Sequence, residues 1–392
     1  MITTDKKLHV AHLVNYLGPA GKERGIMKLI DNIDSERFDN TIVCVNAIRE
    51  HAGMDYSRFR IINLDMPLGN NFQLPFVLKK LFKEEKFDIV HTRSWGTLLE
   101  GVMGAKLAGA PVVIHGEHGT FPEKWPHTLL QNMFWRWADQ MVTVSAELGK
   151  RLSGSTGFPF ERMQHLLNGV DDSLFFTDDK LRFEFRQRFN FEEDDFVVGT
   201  IGRFYPVKNH PMLYRAAKRL KDRGEKIKLA IVGGTTSPLW QKQVEDLIAE
   251  LDIGDVVNLL GFHQEVNMML NGMDIFALTS FSEGCSNVIQ EAIFAGVPVI
   301  ATEVGGNPEL VQHNKTGMLV PSDDDEALAD RILELKNDSA RRFELRDKAL
   351  ENARENFSLR SMIERYENLY ISTYSKKFPN SEKIKTIKAV NV

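Results

Sequence analysis

Short apolar runs alternate with amphipathic helical stretches along almost the whole chain. This alternation is typical of parallel β-sheets whose faces are covered by helices, so we expect an α/β fold. In the first half it predicts strands at His9–Val14, Asn40–Val45, Ile61–Leu64, Asp88–His91, Pro111–His115 and Gln140–Val144. In the second half it predicts strands at Phe196–Ile201, Lys228–Val232, Val256–Leu260, Ile275–Leu278, Val297–Ala301 and Gly317–Val320.

The pattern restarts after a charged linker, Phe191–Asp195, so the chain should contain two domains. We expect two Rossmann-like, doubly wound domains, residues 1–190 and 191–358, with a ligand cleft between them at the carboxyl ends of the strands. A helix over 359–375 should follow, and then a basic tail over 376–392 with five lysines and one acidic residue. The tail is predicted to be a solvated, poorly ordered end; the alternative is a weak contact with anionic lipid.

Composition narrows the class of protein. The chain has 392 residues, which favours two domains, and its 43% hydrophobic and 26% charged residues are typical of soluble globular proteins. A net charge of -5 argues against a nucleic-acid-binding protein. Cys44 and Cys285 are the only cysteines, which leaves no disulfide framework or zinc-ligand spacing and fits a reducing compartment. Because neither a signal peptide nor a run of about 18 apolar residues is present, we expect a cytoplasmic protein.

Two glutamates provide the strongest chemical signal. Glu283 and Glu291 lie eight positions apart, on either side of a glycine-containing turn that follows a predicted strand. If a helix begins at Ser286 or Asn287, its free amides and positive dipole end form an anion site between the two carboxylates. A phosphate flanked by hydroxyl-rich groups, as in a nucleotide sugar, would fit there. The alternative is two surface glutamates around an ordinary loop.

Two further loops fall at the same edge of the predicted second sheet. Arg203 and Lys208 follow its first strand, where two cations can neutralise a diphosphate. Gly305 and Gly306 follow a later strand and permit a close approach of backbone to ligand. Taken singly, the first loop could be a surface cation pair and the second a plain turn.

The first domain has two loops of interest. Gly18 and Gly21 precede a helix, and although their spacing differs from the dinucleotide-binding fingerprint, the loop allows phosphate contact. His118 ends a predicted strand, where substrate contact is expected. The polar residues around it could also suggest a metal site, but no third ligand stands at a recognisable spacing, so no metal is expected.

In the second domain, the acidic run Asp323–Asp325 is expected to cap a helix rather than to bind a divalent ion.

An aromatic segment, Trp125–Trp137, is predicted to form a helix that buries Phe134 and Trp137. The alternative is an acceptor-facing or membrane-facing surface on the first domain. Aromatic side chains suit both settings, because a large apolar body is combined with a polar tip in tryptophan.

In chain order, these features resemble the family 4 glycosyltransferases, which have the two-domain GT-B fold. The resemblance covers nearly the whole chain. Its motifs are Gly21–Arg24, Asp88–His91, Glu117–Gly119, Val144–Ser145, Asn168–Asp171, Gly202–Arg203 with Lys208, Val232–Gly234, Glu283–Glu291, Ala295–Thr302 and Val304–Gly306. Gly116–Gly119, together with Asn287 and Gly305–Asn307, is also similar to a bacterial subgroup of sugar transferases associated with exopolysaccharide and exosortase systems.

The resemblance implies roles for individual residues. Arg203 and Lys208 would bind the donor diphosphate, Glu291 would hold the ribose, and Glu283 would contact the transferred sugar. His118 would contact the donor sugar from the first domain, and the last helix would cross back to pack on that domain. Further donor contacts would come from Gly18, Gly21, Gly202, Phe262, Gly284, Cys285, Ser286, Asn287 and Val288.

The expected function is that of a retaining, metal-independent glycosyltransferase. It would move a sugar from a nucleoside-diphosphate sugar to a hydroxyl of a glycan or lipid-linked acceptor, with UDP or GDP expected rather than ADP and with no cofactor. We expect a role in bacterial polysaccharide or glycolipid synthesis, with peripheral contact to the inner face of the cytoplasmic membrane. Two alternatives stay open: a GT-B epimerase or phosphorylase, and a non-catalytic scaffold that binds nucleotide sugars.

Overall fold

The structure is a computed structural model that describes residues 6–18, 21–49, 55–67, 69, 71–119 and 125–389, the last two without their side chains. The chain divides into two compact units. One contains residues 1–168 and 362–392, and the other contains residues 169–361.

The first unit is built on a seven-stranded parallel sheet with the order β3-β2-β1-β4-β5-β6-β7. Its strands are β1 Leu8–Leu17, β2 Phe38–Ile48, β3 Ile61–Asn63, β4 Ile89–Arg93, β5 Val112–Glu117, β6 Gln140–Thr143 and β7 Met163–His165. The helices are α1 Gly21–Asn32, α2 Leu74–Glu85, α3 Leu98–Ala108, α4 His127–Trp137, α5 Ala146–Thr156, most of α14 Leu359–Lys377, and α15 Glu382–Ala389. Every residue of β4 and β5 is buried, as expected for central strands covered on both faces.

The second unit is built on a six-stranded parallel sheet with the order β10-β9-β8-β11-β12-β13. Its strands are β8 Val197–Ile201, β9 Lys228–Val232, β10 Val257–Gly261, β11 Ile275–Leu278, β12 Val299–Thr302 and β13 Met318–Val320. The helices are α6 Asp179–Arg188, α7 His210–Asp222, α8 Pro238–Glu250, α9 Val266–Asn271, α10 Asn287–Phe294, α11 Asn307–Leu310, α12 Asp325–Asn337 and α13 Ser339–Asn356. The strand pairs are parallel, so the loops after β8, β11 and β12 leave the same edge of the sheet.

These two sheets confirm the predicted α/β fold with two Rossmann-like halves, and each predicted strand is present. The three-residue strand β7 lacks a sequence signal because it is too short to show alternation. The predicted strand Val297–Ala301 begins at Val299 instead. Pro298 precedes it and has no amide to donate, and its carbonyl accepts from the amide of Phe276 at 2.9 Å.

The segment 169–190, expected in the first domain, belongs to the second unit. The reason is an ion-pair cluster around Asp274, next to β11. Arg182 and Arg186 contact its two carboxylate oxygens at 2.7 and 3.2 Å, and the amide of Val197 donates to the same carboxylate at 2.8 Å. Phe185, on the same helix, is fully buried. These contacts attach α6 to the sheet that follows it rather than to the sheet that precedes it.

The end of the chain packs on the first unit. In α14, Glu367 forms an ion pair with Arg37 at 3.0 Å, and Tyr370 lies 3.0 Å from the Nδ1 atom of His91. The basic tail differs from the expected solvated end, because it contains α15. Ile384 and Ile387 of this helix are each 1% exposed, so apolar burial orders the segment despite its lysines.

The aromatic segment forms α4, as predicted, but the prediction was wrong about one of the two side chains expected to be buried. Phe134 is buried, whereas Trp137 is 45% exposed and Trp135 is fully buried, with its ring 5.7 Å from that of Phe158. The phase of the helix explains the exchange, since Trp135 and Trp137 lie two positions apart and so point about 160° apart around the helix axis. Within the described part of the chain, no helix has the length and apolarity needed to cross a bilayer.

Candidate active site

The loop after β8 carries both predicted cations. Arg203 is exposed, whereas Lys208 is half-buried at the end of a short 3-10 turn, Pro206–Lys208. Thr279, just beyond β11, donates from Oγ1 to the carbonyl of Lys208 at 3.1 Å and so holds the turn to the neighbouring strand. Burial and the charge of Lys208 lower the pKa of His210 to about 4. A neutral imidazole, not a second cation, therefore lies beside the lysine.

Lys208 and Glu283 form the central ion pair of this edge. The Nζ atom of Lys208 donates to Glu283 Oε1 at 2.7 Å, and Ser280 Oγ donates to the same oxygen at 2.6 Å. Thr302 Oγ1 in turn donates to the carbonyl of Ser280 at 2.7 Å. The lysine and glutamate side chains are 26% and 12% exposed, so the pair is fixed by protein groups and still reaches solvent.

Gly305 and Gly306 support the backbone of Glu283. The amide of Gly306 donates to the Glu283 carbonyl at 3.2 Å. Gly305 has a φ of +52°, and a Cβ atom there would lie 1.8 Å from that carbonyl oxygen. The close approach that Gly305 makes is therefore to the loop that carries Glu283, and the approach of this backbone to a ligand stays a prediction.

Helix α10 begins where the glutamate motif predicts. Ser286 occupies the N-cap position, but its side chain makes no capping hydrogen bond and its buried hydroxyl has no partner in the described protein. Glu291 is half-buried in the second turn. Gln290, which is fully buried, donates from Nε2 to the Sγ atom of Cys285 at 3.7 Å and ties the loop to the helix. The helix N-terminus thus opens beside the Lys208–Glu283 pair.

The loops after β9 and β10 reach the same edge. The amide of Gly233 donates to the carbonyl of Gly261 at 2.7 Å, and a Cβ atom at Gly233 would lie 1.9 Å from the carbonyl oxygen of Gly202. Phe262, the residue after Gly261, is 68% exposed. The second unit therefore brings Gly202, Arg203, Lys208, Phe262, Gly284–Val288 and Glu291 to one edge of its sheet.

In the first unit, His118 lies directly after β5 and is half-buried. Burial, together with the charges of Arg93 and Lys22, lowers its pKa well below the ordinary value. Gly18 ends the described part of the loop after β1, and Gly21 is the first residue of α1. Pro19 and Ala20 lie outside the described residues. The phosphate contacts expected of Gly18 and Gly21 stay a prediction.

The acidic run before α12 has the structural role that was predicted. Asp324 caps this helix, because its carboxylate accepts from the amide of Ala327 at 2.9 Å. Asp323 and Asp325 are ion-paired with Arg215. Among the described residues, no three histidine, cysteine, aspartate or glutamate side chains form a group suited to a metal ion.

Comparison with known proteins identifies the family. The pattern described as Glycosyltransferase Family 4 matches residues 19–174, and that described as Glycosyl transferases group 1 matches residues 182–356. The chain belongs to the family 4, group 1 glycosyltransferases. The expected family and fold are confirmed.

Individual relatives of this glycosyltransferase are distant. It is 23% identical to the Escherichia coli UDP-Gal:alpha-D-GlcNAc-diphosphoundecaprenol alpha-1,3-galactosyltransferase, over 95% of this chain and 98% of the relative. It is 30% identical to the GDP-mannose-dependent alpha-(1-6)-phosphatidylinositol monomannoside mannosyltransferase of Mycobacterium tuberculosis, over 67% of this chain and 70% of the relative. The structure of Anabaena HepE with UDP and glucose superposes with a TM-score of 0.80 at 20% identity, covering 92% of this chain and 98% of HepE.

Several residues at the ends of strands in this glycosyltransferase were not predicted from the sequence as candidate site residues. Ser280 and Thr302 hold Glu283, but isolated hydroxyl residues at strand ends are too common to single out. Arg93 and Ser94, at the end of β4, are both buried. Their only signal is that a cation and a hydroxyl follow a predicted strand, where ligands bind in such folds.

The contact between Gly305 and Glu283 generates a prediction. Gly305→Ala should lower the free energy of unfolding by about 1–3 kcal/mol, because it introduces a side chain at positive φ and against a backbone carbonyl. It should also weaken donor binding by displacing Glu283. Gly254→Ala is the matched control, since a Cβ atom there meets nothing within 4 Å.

Denaturant unfolding and nucleotide-sugar titration measure the two effects. Equal behaviour of the Gly305→Ala and Gly254→Ala proteins would show that the close approach does not position Glu283.

Proposed function

We propose that this glycosyltransferase is retaining and metal-independent, and that it transfers a sugar from a nucleoside-diphosphate sugar to a hydroxyl of a glycan or lipid-linked acceptor. The observation that carries the proposal is the Lys208–Glu283 pair, with 2.7 Å between Nζ and Oε1, beside the N-terminus of α10. A cation, a carboxylate and the N-terminus of a helix at one sheet edge suit the charged and the hydroxyl-bearing parts of a nucleotide sugar.

The chemistry requires stabilisation of a leaving diphosphate. Negative charge grows on this group as the anomeric bond breaks, and Arg203, Lys208 and the α10 amides would stabilise that charge more strongly in the transition state than in the ground state. This arrangement needs neither a metal ion nor another cofactor. The acceptor hydroxyl would attack from the side of the leaving group and give its proton to a donor phosphate oxygen.

The carboxylates have separate roles in this proposal. In the free protein, Glu283 neutralises Lys208. A bound diphosphate would compete for the lysine, and the Glu283 carboxylate could then accept from a sugar hydroxyl. Glu291 would hold the ribose hydroxyls, and the exposed Phe262 would lie at the base. His118 would contact the donor sugar, as the resemblance to the family implies.

The names of relatives support UDP or GDP as the donor nucleotide. The E. coli relative is named for UDP-Gal, the M. tuberculosis relative for GDP-mannose, and HepE was crystallised with UDP. The two named acceptors, a diphosphoundecaprenol sugar and a phosphatidylinositol monomannoside, each carry phosphate. We therefore propose an anionic acceptor, in the synthesis of a bacterial glycolipid or polysaccharide such as an exopolysaccharide.

The first test is an assay of the full chain with UDP-, GDP- and ADP-sugars in excess EDTA. We expect transfer from a UDP- or GDP-sugar at an undiminished rate, with the anomeric configuration of the donor retained in the product by NMR. Loss of activity in EDTA, restored by a divalent ion, would refute metal independence. Inversion would refute the retaining mechanism. A change of the donor with no acceptor present, followed by mass spectrometry, would instead support an epimerase.

The second test concerns the two cations. Arg203→Ala and Lys208→Ala should each lower kcat by about 100-fold or more, because each removes a group that stabilises the leaving diphosphate. Arg188→Ala is the control, since it removes an arginine paired with Glu265 elsewhere in the unit. Circular dichroism would verify the fold of each variant. Near-normal kcat in both site variants would contradict the assignment.

We also propose that the enzyme works at a membrane surface, through α4. Leu129, Met133 and Trp137 recur every four residues and are 59%, 41% and 45% exposed, so they form one uncovered apolar stripe. Trp125, two residues before the helix, is 79% exposed, and Arg136 is exposed beside the stripe. Exposed apolar side chains with tryptophan and a cation are typical of helices that lie in a bilayer interface.

Vesicle flotation tests this surface. The full chain should bind vesicles of phosphatidylglycerol and phosphatidylcholine, and the triple variant Leu129→Gln, Met133→Gln, Trp137→Gln should bind at least about tenfold more weakly, since each side chain would bury apolar area. The matched control replaces three exposed apolar residues of the second unit, Phe183, Leu239 and Phe343, with glutamine. Equal binding by the two triple variants would exclude α4 as the contact.

A further inference from the structure

Arg93, the last residue of β4, is a buried cation with no counter-charge among the described residues. The side chain is 2% exposed, and no carboxylate of the described residues forms an ion pair with it. Its guanidinium nitrogens lie 3.4 Å from Tyr366 Oη, 3.3 Å from His12 Nδ1 and 3.5 Å from His91 Nδ1. Burial and the charge of Arg93 hold the pKa of both histidines far below the ordinary value, to about 3 for His12, so neither is charged. An isolated buried charge destabilises the folded protein, so we expect Arg93 to bind a partner of opposite charge.

Polar atoms around Arg93 also lack partners. Arg93 Nε, His91 Nε2 and Ser94 Oγ are buried and make no hydrogen bond within the described protein. Ser94 is strained as well, with φ of 63° and ψ of 166°, a conformation that glycine adopts far more readily. Its amide donates to the carbonyl of Gly116 at 2.7 Å. Strain of this kind is concentrated at ligand sites, where the surrounding structure maintains it.

Gly116, in β5, lies beside two histidines. A Cβ atom at this position would lie 3.1 Å from His91 Nε2 and 3.6 Å from His118 Nε2. Arg93 is the register partner of Gly116 in the parallel pair of β4 and β5. The unpartnered atom of His91 and the half-buried His118 therefore approach the same point, next to the backbone of Arg93.

The charges on this face favour an anion. Glu117 lies on the opposite face of β5 from Gly116, because side chains alternate along a strand, and it contacts His115 at 3.1 Å. Lys22, in the first turn of α1, contributes positive charge at His118. Glu23, the acidic residue beside it, is paired with Lys22 at 3.3 Å. Positive charge thus acts at His118, and the carboxylates of Glu117 and Glu23 each have a partner.

We propose that Arg93, Ser94 and His118 form a subsite for the anionic group of the acceptor, a phosphate or a carboxylate. Arg93 supplies the charge, the Ser94 hydroxyl donates a hydrogen bond, and His118 lies on the rim. The bound anion takes the place of the missing carboxylate. This inference rests on the proposed function only in calling the anion part of an acceptor; the binding site itself is tested without sugar transfer.

The test measures inorganic phosphate binding to the full chain in which Arg203→Ala and Lys208→Ala have removed the diphosphate cations of the second unit. Isothermal titration at fixed ionic strength should find one phosphate site. Adding Ser94→Gly should weaken it at least tenfold, although this change relieves backbone strain and should not lower stability. Asn190→Gly is the matched control, because Asn190 also has a positive φ, 56°, and lies in the second unit.

A thermal measurement separates ligand binding from a structural role of Arg93. When Arg93→Met is added to the same chain with Arg203→Ala and Lys208→Ala, phosphate should no longer raise Tm, whereas Tm without phosphate should stay the same or rise, because a costly buried charge has been removed. If Arg93 were purely structural, Tm would fall and the phosphate-induced rise would persist. Malonate in place of phosphate distinguishes a carboxylate-bearing acceptor from a phosphate-bearing one, with sodium chloride as the ionic-strength control.

Three outcomes would overturn the subsite: no binding of phosphate or malonate, binding unchanged by Ser94→Gly, or a phosphate-induced rise in Tm that survives Arg93→Met. The proposed function fails separately. A chain that binds phosphate through Ser94 but transfers no sugar would refute the transferase mechanism and leave the subsite intact. A chain that transfers sugar with kcat/KM unchanged by Ser94→Gly would refute the acceptor role alone.

Discussion

The ion pair between Lys208 and Glu283 is the interaction on which the candidate donor site depends. It joins the loop after β8 to the loop after β11, two neighbours in the second sheet. Ser280 holds the carboxylate, and Gly305 gives its backbone room. Because the strands are parallel, each of these loops leaves the same edge of the sheet, where α10 also begins. The pair keeps a cation and a carboxylate in place before any ligand arrives.

The two units differ in whether their buried or half-buried charges have partners of opposite charge within the described protein. In the second unit, Asp274 and Lys208 have partners of opposite charge within the protein. In the first unit, Arg93 lies among a tyrosine and two uncharged histidines. A buried guanidinium without a carboxylate partner lowers the stability of the folded protein, and an anionic ligand would offset this loss. This contrast is why the first unit, which has fewer recognisable motifs, holds the clearer sign of an unassigned ligand.

The last two helices, α14 and α15, pack on the first unit, and their contacts explain how a lysine-rich segment can be ordered. α14 places Tyr366 beside Arg93 and Tyr370 beside His91. α15 then buries two isoleucines, and its Lys383 pairs with Asp88 at 2.6 Å, at the start of β4. The lysines of the tail therefore coexist with an ordered helix, because the apolar face sits on the protein while some of the charged groups find local partners.

The amino-acid pattern alone predicts the features that depend on neighbouring residues: the strand and helix periods, the start of α10 after Ser286, and the capping of α12 by the acidic run that contains Asp324. The same pattern predicts Arg203, Lys208, Glu283 and Glu291 as site residues, because their loops carry the family's motifs. The tertiary structure decided the contacts between distant segments. Lys208 meets Glu283 across 75 positions, and Arg93 meets Tyr366 across 273. It also decided which face of α4 is buried and that residues 169–190 join the second unit. These outcomes depend on packing and on the balance of buried charge, which local patterns do not encode.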